Sequence, residues 1–174
     1  MKIGIISDTH DKLPVIDTAF EVFQRNKVLL VVHCGDWKSL STLEHVIAKA
    51  KETNIPVRGV LGNNDVEIEA FLQLARSFPK HISLMEGIDT FEVEGKTIAT
   101  YHGHHAPTLR KLRASDAYDT ICLGHTHKPK IEQLDHTLIL NPGSTAFAIP
   151  RSKTWQPTVI IFDTDTMIPE LLTI

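Results

Sequence analysis

Five short polar clusters follow apolar runs in this chain. They are Asp8-Thr9-His10 after Ile3–Ile6, Asp36 after Val28–Val32, Asn63 after Pro56–Leu61, His102 after Thr97–Tyr101, and His125-Thr126-His127 after Thr120–Leu123. Together they offer carboxylate oxygen, amide oxygen and imidazole nitrogen, and no sulfur. Such donors suit two hard-to-borderline divalent cations such as Mn²⁺, Fe or Zn²⁺. Taken singly, each cluster is weak. A lone histidine is more often packed or exposed than a ligand, a Gly-Asn pair is usually a turn, and Asp8 or Thr9 would serve as a helix cap. The repetition of one mixture at five strand ends points to a common metal-binding locus. Asp8 and His10 are alternate residues, so an extended backbone would aim both side chains the same way.

The elements that must position these clusters follow from hydrophobic periodicity. Ile3, Ile5 and Ile6 predict a buried strand. Pro14 suits a first helical turn, and Ile16, Ala19, Phe20 and Phe23 keep helical spacing. Val28–Val32 predicts a parallel-type buried strand, after which Gly35 permits a sharp turn. Ser41 and Glu44 fit a capping box for a helix carrying Leu40, Leu43, Ile47 and Ala50. Pro56–Leu61 is a third strand, and Ile68, Phe71, Leu72 and Ala75 mark a third helix ending near Pro79. Three strand–turn–helix units give the rhythm of a layered α/β domain, with ligands at the carboxyl ends of the strands. Phe91–Val93 and Thr97–Tyr101 then predict a hairpin around Glu94-Gly95-Lys96. A short helix at Leu109–Arg113 and strands at Thr120–Leu123, Ile131–Leu134, Thr137–Leu140, Val159–Phe162 and Met167–Leu172 complete the chain. With 174 residues and no repeat or linker, a single domain over residues 1–174 is expected.

The order D-x-H, G-D, G-N-x-D, H-G-H and G-H-x-H resembles the calcineurin-like metallophosphoesterase superfamily. The Ile-Ser-Asp-Thr-His start and the Asn141-Pro142-Gly143-Ser144 segment resemble its small prokaryotic phosphodiesterase group. The resemblance spans Ile3 to Ser144 and implies a four-layer αββα sandwich of two mixed sheets flanked by helices. It implies one metal held by Asp8, His10, Asp36 and His127, and a second held by Asp36, Asn63, His102 and His125, with Asp36 bridging. The cofactor it implies is a pair of divalent ions, Mn first, with Zn, Fe or Ni as the other candidates. The implied activity is hydrolysis of a small phosphodiester. Two dications about 3.5–4 Å apart share a water, lower its pKa and let the resulting hydroxide attack phosphorus in line, while also neutralising charge on the phosphate oxygens.

One position departs from the family pattern. In much of the superfamily the third residue of G-N-x-D is a histidine that protonates the leaving group; here it is Asn64. An amide cannot act as a general acid near neutral pH. Substrates with acidic leaving groups, such as aryl esters, are therefore expected. His104, two residues beyond a candidate ligand, is the imidazole placed to substitute in part; an exposed or merely supporting ring is the alternative. Asp11 and Asp65 read as carboxylates that orient ligands or cap turns. Trp37 reads as core or as a stacking surface. Arg110, Lys111 and Arg113 read as a solvated helix face or a phosphate contact.

Composition excludes other classes. The formal net charge of −3 gives no general attraction to long nucleic acid or to anionic lipid, and 42% hydrophobic with 22% charged residues is ordinary for a globular protein. Cys34 and Cys122 each flank an apolar run and read as buried reduced thiols, compatible with a cytoplasmic protein. Neither a signal peptide nor a membrane span is expected. A homo-oligomer paired through strands near the carboxyl end is compatible with the sequence. Two alternatives to the diesterase are a protein-interaction scaffold like the retromer subunit of this fold, and a nuclease on short oligonucleotides. A scaffold predicts apolar or bulky residues at the ligand positions, and none stands there.

Overall fold

The computed structural model describes residues 1–147 and 155–174. Strand β1 (Lys2–Ile6) leads to helix α1 (Leu13–Arg25), β2 (Leu30–His33) to α2 (Leu40–Thr53), and β3 (Val57–Val60) to α3 (Ile68–Arg76). Then follow β4 (Ile82–Met85), β5 (Asp89–Val93), β6 (Lys96–Tyr101), α4 (Ala106–Arg113), β7 (Thr120–Leu123), β8 (Pro129–Leu134), β9 (Thr137–Pro142), β10 (Thr158–Asp163) and β11 (Ile168–Thr173).

The strands form a six-stranded sheet, ordered β11-β10-β1-β2-β3-β4, and a five-stranded sheet, ordered β5-β6-β7-β9-β8. Both are mixed. In the first, β1 to β4 run parallel and β10 and β11 join antiparallel. In the second, β6, β7 and β9 are parallel and β5 and β8 flank them antiparallel.

Alternation within each strand builds the layers. Ile3, Ile5, Val32, Ile98, Leu138, Leu140, Ile160 and Phe162 pack between the sheets. Ile6, Val31, Val57 and Ile161 face the other way, against Ile16, Phe20 and Phe23 of α1 and Leu43 and Ile47 of α2. Leu112 of α4 packs on Ala99, Ile121 and Ile139. The result is the expected four-layer αββα sandwich. Strands buried on both faces read as continuous apolar runs, as in Ile3–Ile6 and Val31–Val32.

Three local expectations differ. Ser41 and Glu44 do not form the capping box: helix α2 starts at Leu40 with Ser39 at the cap. The Ser39 hydroxyl is turned to Asp11, donating to Oδ1 at 2.5 Å, and Thr42 Oγ1 donates to the same oxygen at 2.8 Å. Asp11 thus draws the start of α2 onto the loop after β1. Val28 and Leu29 precede β2 rather than belonging to it, because Val28 N–H closes the end of α1 on Phe23 O at 3.0 Å. Strand β4 was not anticipated. It is four residues long and exposes Met85, so it carries almost no periodic signal. No helix among the described residues is long and apolar enough to cross a membrane.

Candidate metal centre

The loops after β1, β2, β3, β6 and β7 leave the carboxyl ends of parallel strands and converge at one end of the sandwich, three from one sheet and two from the other. Asp8, His10, Asp36 and His127 meet there, with one candidate ligand atom from each lying within 4.8 Å of the others. His127 Nε2 lies 3.0 Å from Asp8 Oδ1, and His10 Nε2 lies 3.5 Å from Asp36 Oδ2. The two Nε2 atoms are 3.4 Å apart.

This arrangement fits a cation. His127 Nδ1 is 2.8 Å from the Phe147 carbonyl, which can only accept, so Nδ1 carries the proton and the neutral ring turns a lone pair inward at Nε2. Asp8 Oδ1 is buried without a hydrogen bond. An orphaned carboxylate oxygen facing imidazole lone pairs is costly in a dry site unless a positive charge is added.

Asp36 also faces a second set. Its Oδ1 is 3.3 Å from His102 Nε2, which is itself 3.2 Å from Asn63 Oδ1. His102 Nδ1 is fixed on the Cys34 carbonyl at 2.8 Å, so this ring too directs Nε2 inward. The His125 ring packs edge-on to His102 with centroids 5.2 Å apart, and its backbone N–H donates to Asp8 Oδ2 at 3.1 Å. Asp36 thus stands between the group of Asp8, His10 and His127 and the His102 ring, against which Asn63 and His125 lie.

The field of the site separates its imidazoles. Burial lowers the pKa of His10 and of His125, and neighbouring imidazoles add to that, against the pull of Asp36 and Asp8. Burial also works to lower His102 and His127, but the Asp36 carboxylate beside the first and the Asp8 carboxylate beside the second favour the protonated ring, outweigh burial and raise both. Burial opposes ionisation of Asp36, yet His102 and two donors from Asn64 hold its carboxyl well below the usual range.

The backbone here is not the extended one that alternation implied. Asp8 has φ 54°, His10 39°, Asp36 61°, His125 67° and His127 57°, all in the left-handed region. Asp8 and His10 converge through a turn rather than along a strand. Each such residue costs on the order of 1 kcal/mol, and the cost persists because neighbouring loops fix the chain. Asp8 N–H donates to Gly35 O at 3.0 Å and His10 N–H to Asp36 O at 3.2 Å. Gly35, at φ 95°, lies so close to His102 that an added Cβ would come within 2.7 Å of Nδ1.

Other residues resolve as follows. Asp65 accepts from Asp36 N–H, Lys38 N–H and Gly62 N–H at 3.0, 2.6 and 2.7 Å, so it orients the Asp36 loop rather than a histidine. Asp11 holds Ser39 and Thr42, as above. Trp37 is buried core, its Nε1–H donating to Val60 O at 2.9 Å. Arg113 pairs with Glu132 at 2.9 Å. Asn64 is exposed, with its side-chain amide on Asp36 Oδ2. His104 is exposed beside the centre, its ring 5.6 Å from that of His102. The sequence reading missed Ser7, whose hydroxyl donates to Asp8 Oδ2 at 2.6 Å. It also gave no role to His33, buried beneath the loops. Ser144, expected only as part of a turn beneath the site, donates to Asp8 O at 3.0 Å. A hydroxyl one residue from a candidate ligand was the only available signal for Ser7.

The calcineurin-like phosphoesterase superfamily domain matches this chain over residues 1–167. A curated relative, phosphodiesterase MJ0936 of Methanocaldococcus jannaschii, is 34% identical over 165 residues, covering 95% of this chain and 94% of its own. A solved archaeal phosphodiesterase superposes with a TM-score of 0.86 at 32% identity, over 100% of both chains. Zinc-complexed Vps29 of Entamoeba histolytica has a TM-score of 0.67 at 15% identity, covering 99% of each chain, a likeness of fold. With the domain match spanning nearly its whole length, the chain belongs to the calcineurin-like phosphoesterase superfamily.

Proposed function

We propose that this protein is a phosphodiesterase of small substrates that works with two divalent metal ions. One would be held by Asp8, His10, Asp36 and His127, the other by Asp36, Asn63, His102 and His125. The observation that carries this reading is the division of the Asp36 carboxylate, with Oδ2 toward His10 at 3.5 Å and Oδ1 toward His102 at 3.3 Å. A carboxylate has two oxygens and a formal charge, which a position shared by two cations needs. Bound there, such ions supply Lewis acidity toward phosphate oxygens and a water acidic enough to ionise near neutral pH.

The protein groups do the rest. Asn63 offers a neutral carbonyl and so adds no negative charge against the incoming phosphate. Asn64 steadies Asp36 through two donors and has no acidic proton to give. His104 makes no hydrogen bond among the described residues, and burial together with the His102 and His125 rings lowers its pKa. Its ring lies 5.6 Å from that of His102, and we assign it the place beside a leaving group. Beside it opens a recess of about 510 Å³ lined by Glu86, Gly87, Ile88, Tyr101, His104 and Thr108. That space suits the organic arm of a small diester rather than a duplex. A relative named as a phosphodiesterase at 34% identity supports diesters over monoesters.

Elemental analysis of the purified protein, followed by Mn²⁺-dependent hydrolysis of an aryl phosphodiester, the matching monoester and a panel of cyclic nucleotides, tests the reading. Stoichiometric metal with faster diester than monoester turnover is expected. A fully metallated protein inert toward every ester would overturn it in favour of a scaffold.

A further inference from the structure

His33 lies outside the seven candidate ligands and is 1% exposed. Gly35 N–H donates to its Nδ1 at 3.1 Å, so Nδ1 holds a lone pair and the proton of the neutral ring sits on Nε2. Nε2 is 3.2 Å from Thr9 Oγ1, which in turn lies 3.4 Å from the Asp36 carbonyl. The carbonyl can only accept, so the hydroxyl donates to it and accepts the Nε2 proton. The direction of the whole chain is therefore fixed: Gly35 N–H to His33, His33 to Thr9, Thr9 to Asp36. The imidazole also stacks on Trp37 at 3.5 Å and 14°, and Trp37 is tied to Val60 at the end of β3.

These partners are placed with a purpose. Thr9 stands between Asp8 and His10, Gly35 precedes Asp36, and Val60 leads into Gly62-Asn63. Asp8, His10 and Asp36 are the left-handed residues that would relax if their loops were released. We propose that His33 is a positioning residue that locks the Asp8–His10 loop onto the Asp36 loop and thereby sets metal affinity, touching neither metal nor substrate. The inference rests on the metal reading of the site given above.

The competing role is that of an aromatic filler, which three variants separate. His33→Phe keeps size and stacking and loses both hydrogen bonds. Thr9→Val keeps shape and removes only the hydroxyl link. His33→Gln restores a donor near the Nε2 position. Metal-free proteins are titrated with Mn²⁺ by calorimetry, and their thermal unfolding is recorded without metal. The expected result is about 10–100-fold weaker Mn²⁺ binding in His33→Phe and Thr9→Val, with most of it regained in His33→Gln, at melting temperatures that do not track affinity. Unchanged affinity in Thr9→Val, or loss in His33→Gln equal to that in His33→Phe, overturns the proposal. Wild-type protein that binds no Mn²⁺ overturns instead the metal reading on which it rests. If His33→Phe fails to fold, Thr9→Val and His33→Gln decide the matter.

Discussion

Asn64 grips Asp36 twice, its backbone N–H donating to Oδ1 at 2.9 Å and its side-chain amide to Oδ2 at 2.7 Å. The residue that departs from the family pattern thus braces the carboxylate at the middle of the site. It supplies order where a histidine would supply a proton.

Replacing Asn64 with His should restore acid assistance. General acids contribute about 10²–10⁴-fold, most where the leaving group is a poor one. Asn64→His is expected to accelerate alkyl diesters at least tenfold more than aryl diesters, flattening the plot of log kcat/KM against leaving-group pKa. An equal change across the series would remove the leaving-group argument.

Chelation should weaken the fold as well as the activity. Metal at one hundred times its Kd adds about 2.7 kcal/mol, which for a chain of this size is a rise of roughly 5–10 °C in Tm. Differential scanning fluorimetry with EDTA and with Mn²⁺ measures it. Identical curves would show that the converging carboxylates gain nothing from a cation.

Gly62 has no room for a side chain. A Cβ there would lie 2.2 Å from Asp36 Oδ1 and 2.5 Å from Asp36 N. Gly62→Ala must push Asp36 aside, so at least a tenfold loss of Mn²⁺ affinity is expected by titration calorimetry, while far-ultraviolet circular dichroism stays as in the wild type.

Asp65 gives the metal-free protein a distinctive pH response. Burial pushes its carboxyl up to about 6, with the Asp36 charge adding to the rise and the Gly62 and Lys38 N–H donors opposing it. A carboxyl raised in the folded state holds its proton where the unfolded chain has released it. The Asp65 contribution to stability therefore falls as pH rises from about 4 to about 6, by up to about 3 kcal/mol. Urea unfolding at pH 4.5 and 7 should show the wild type losing stability over this range relative to Asp65→Asn, whatever the imidazoles add to both.

The sheets and helices were legible because their residues bury on one stripe or on two faces. Ile16, Ala19, Phe20 and Phe23 declare α1, and Ile3–Ile6 declares β1. Strand β4 was hidden because it is only four residues long, Ser83 interrupts its apolar residues, and Met85 is apolar yet exposed. The start of α2 was misplaced because Asp11, nearly thirty residues earlier, takes the Ser39 hydroxyl. The meeting of Asp8, His10, Asp36 and His127 was legible from the recurrence of polar clusters at strand ends. How Asp8 and His10 converge was not, since left-handed φ values at Asp and His leave no pattern in spacing. His33 was invisible as well: its two partners lie on different loops, and nothing local separates it from any buried histidine.

The left-handed turns have a consequence for how this centre would decay. Asp36 at φ 61° and Asp8 at φ 54° must satisfy a backbone that Asn, Asp and Gly tolerate and β-branched residues do not. A descendant released from its cation would first exchange carboxylates for asparagine or glycine, leaving a polar scar. Loss of catalysis in such a lineage would show as missing charge long before it showed as grease.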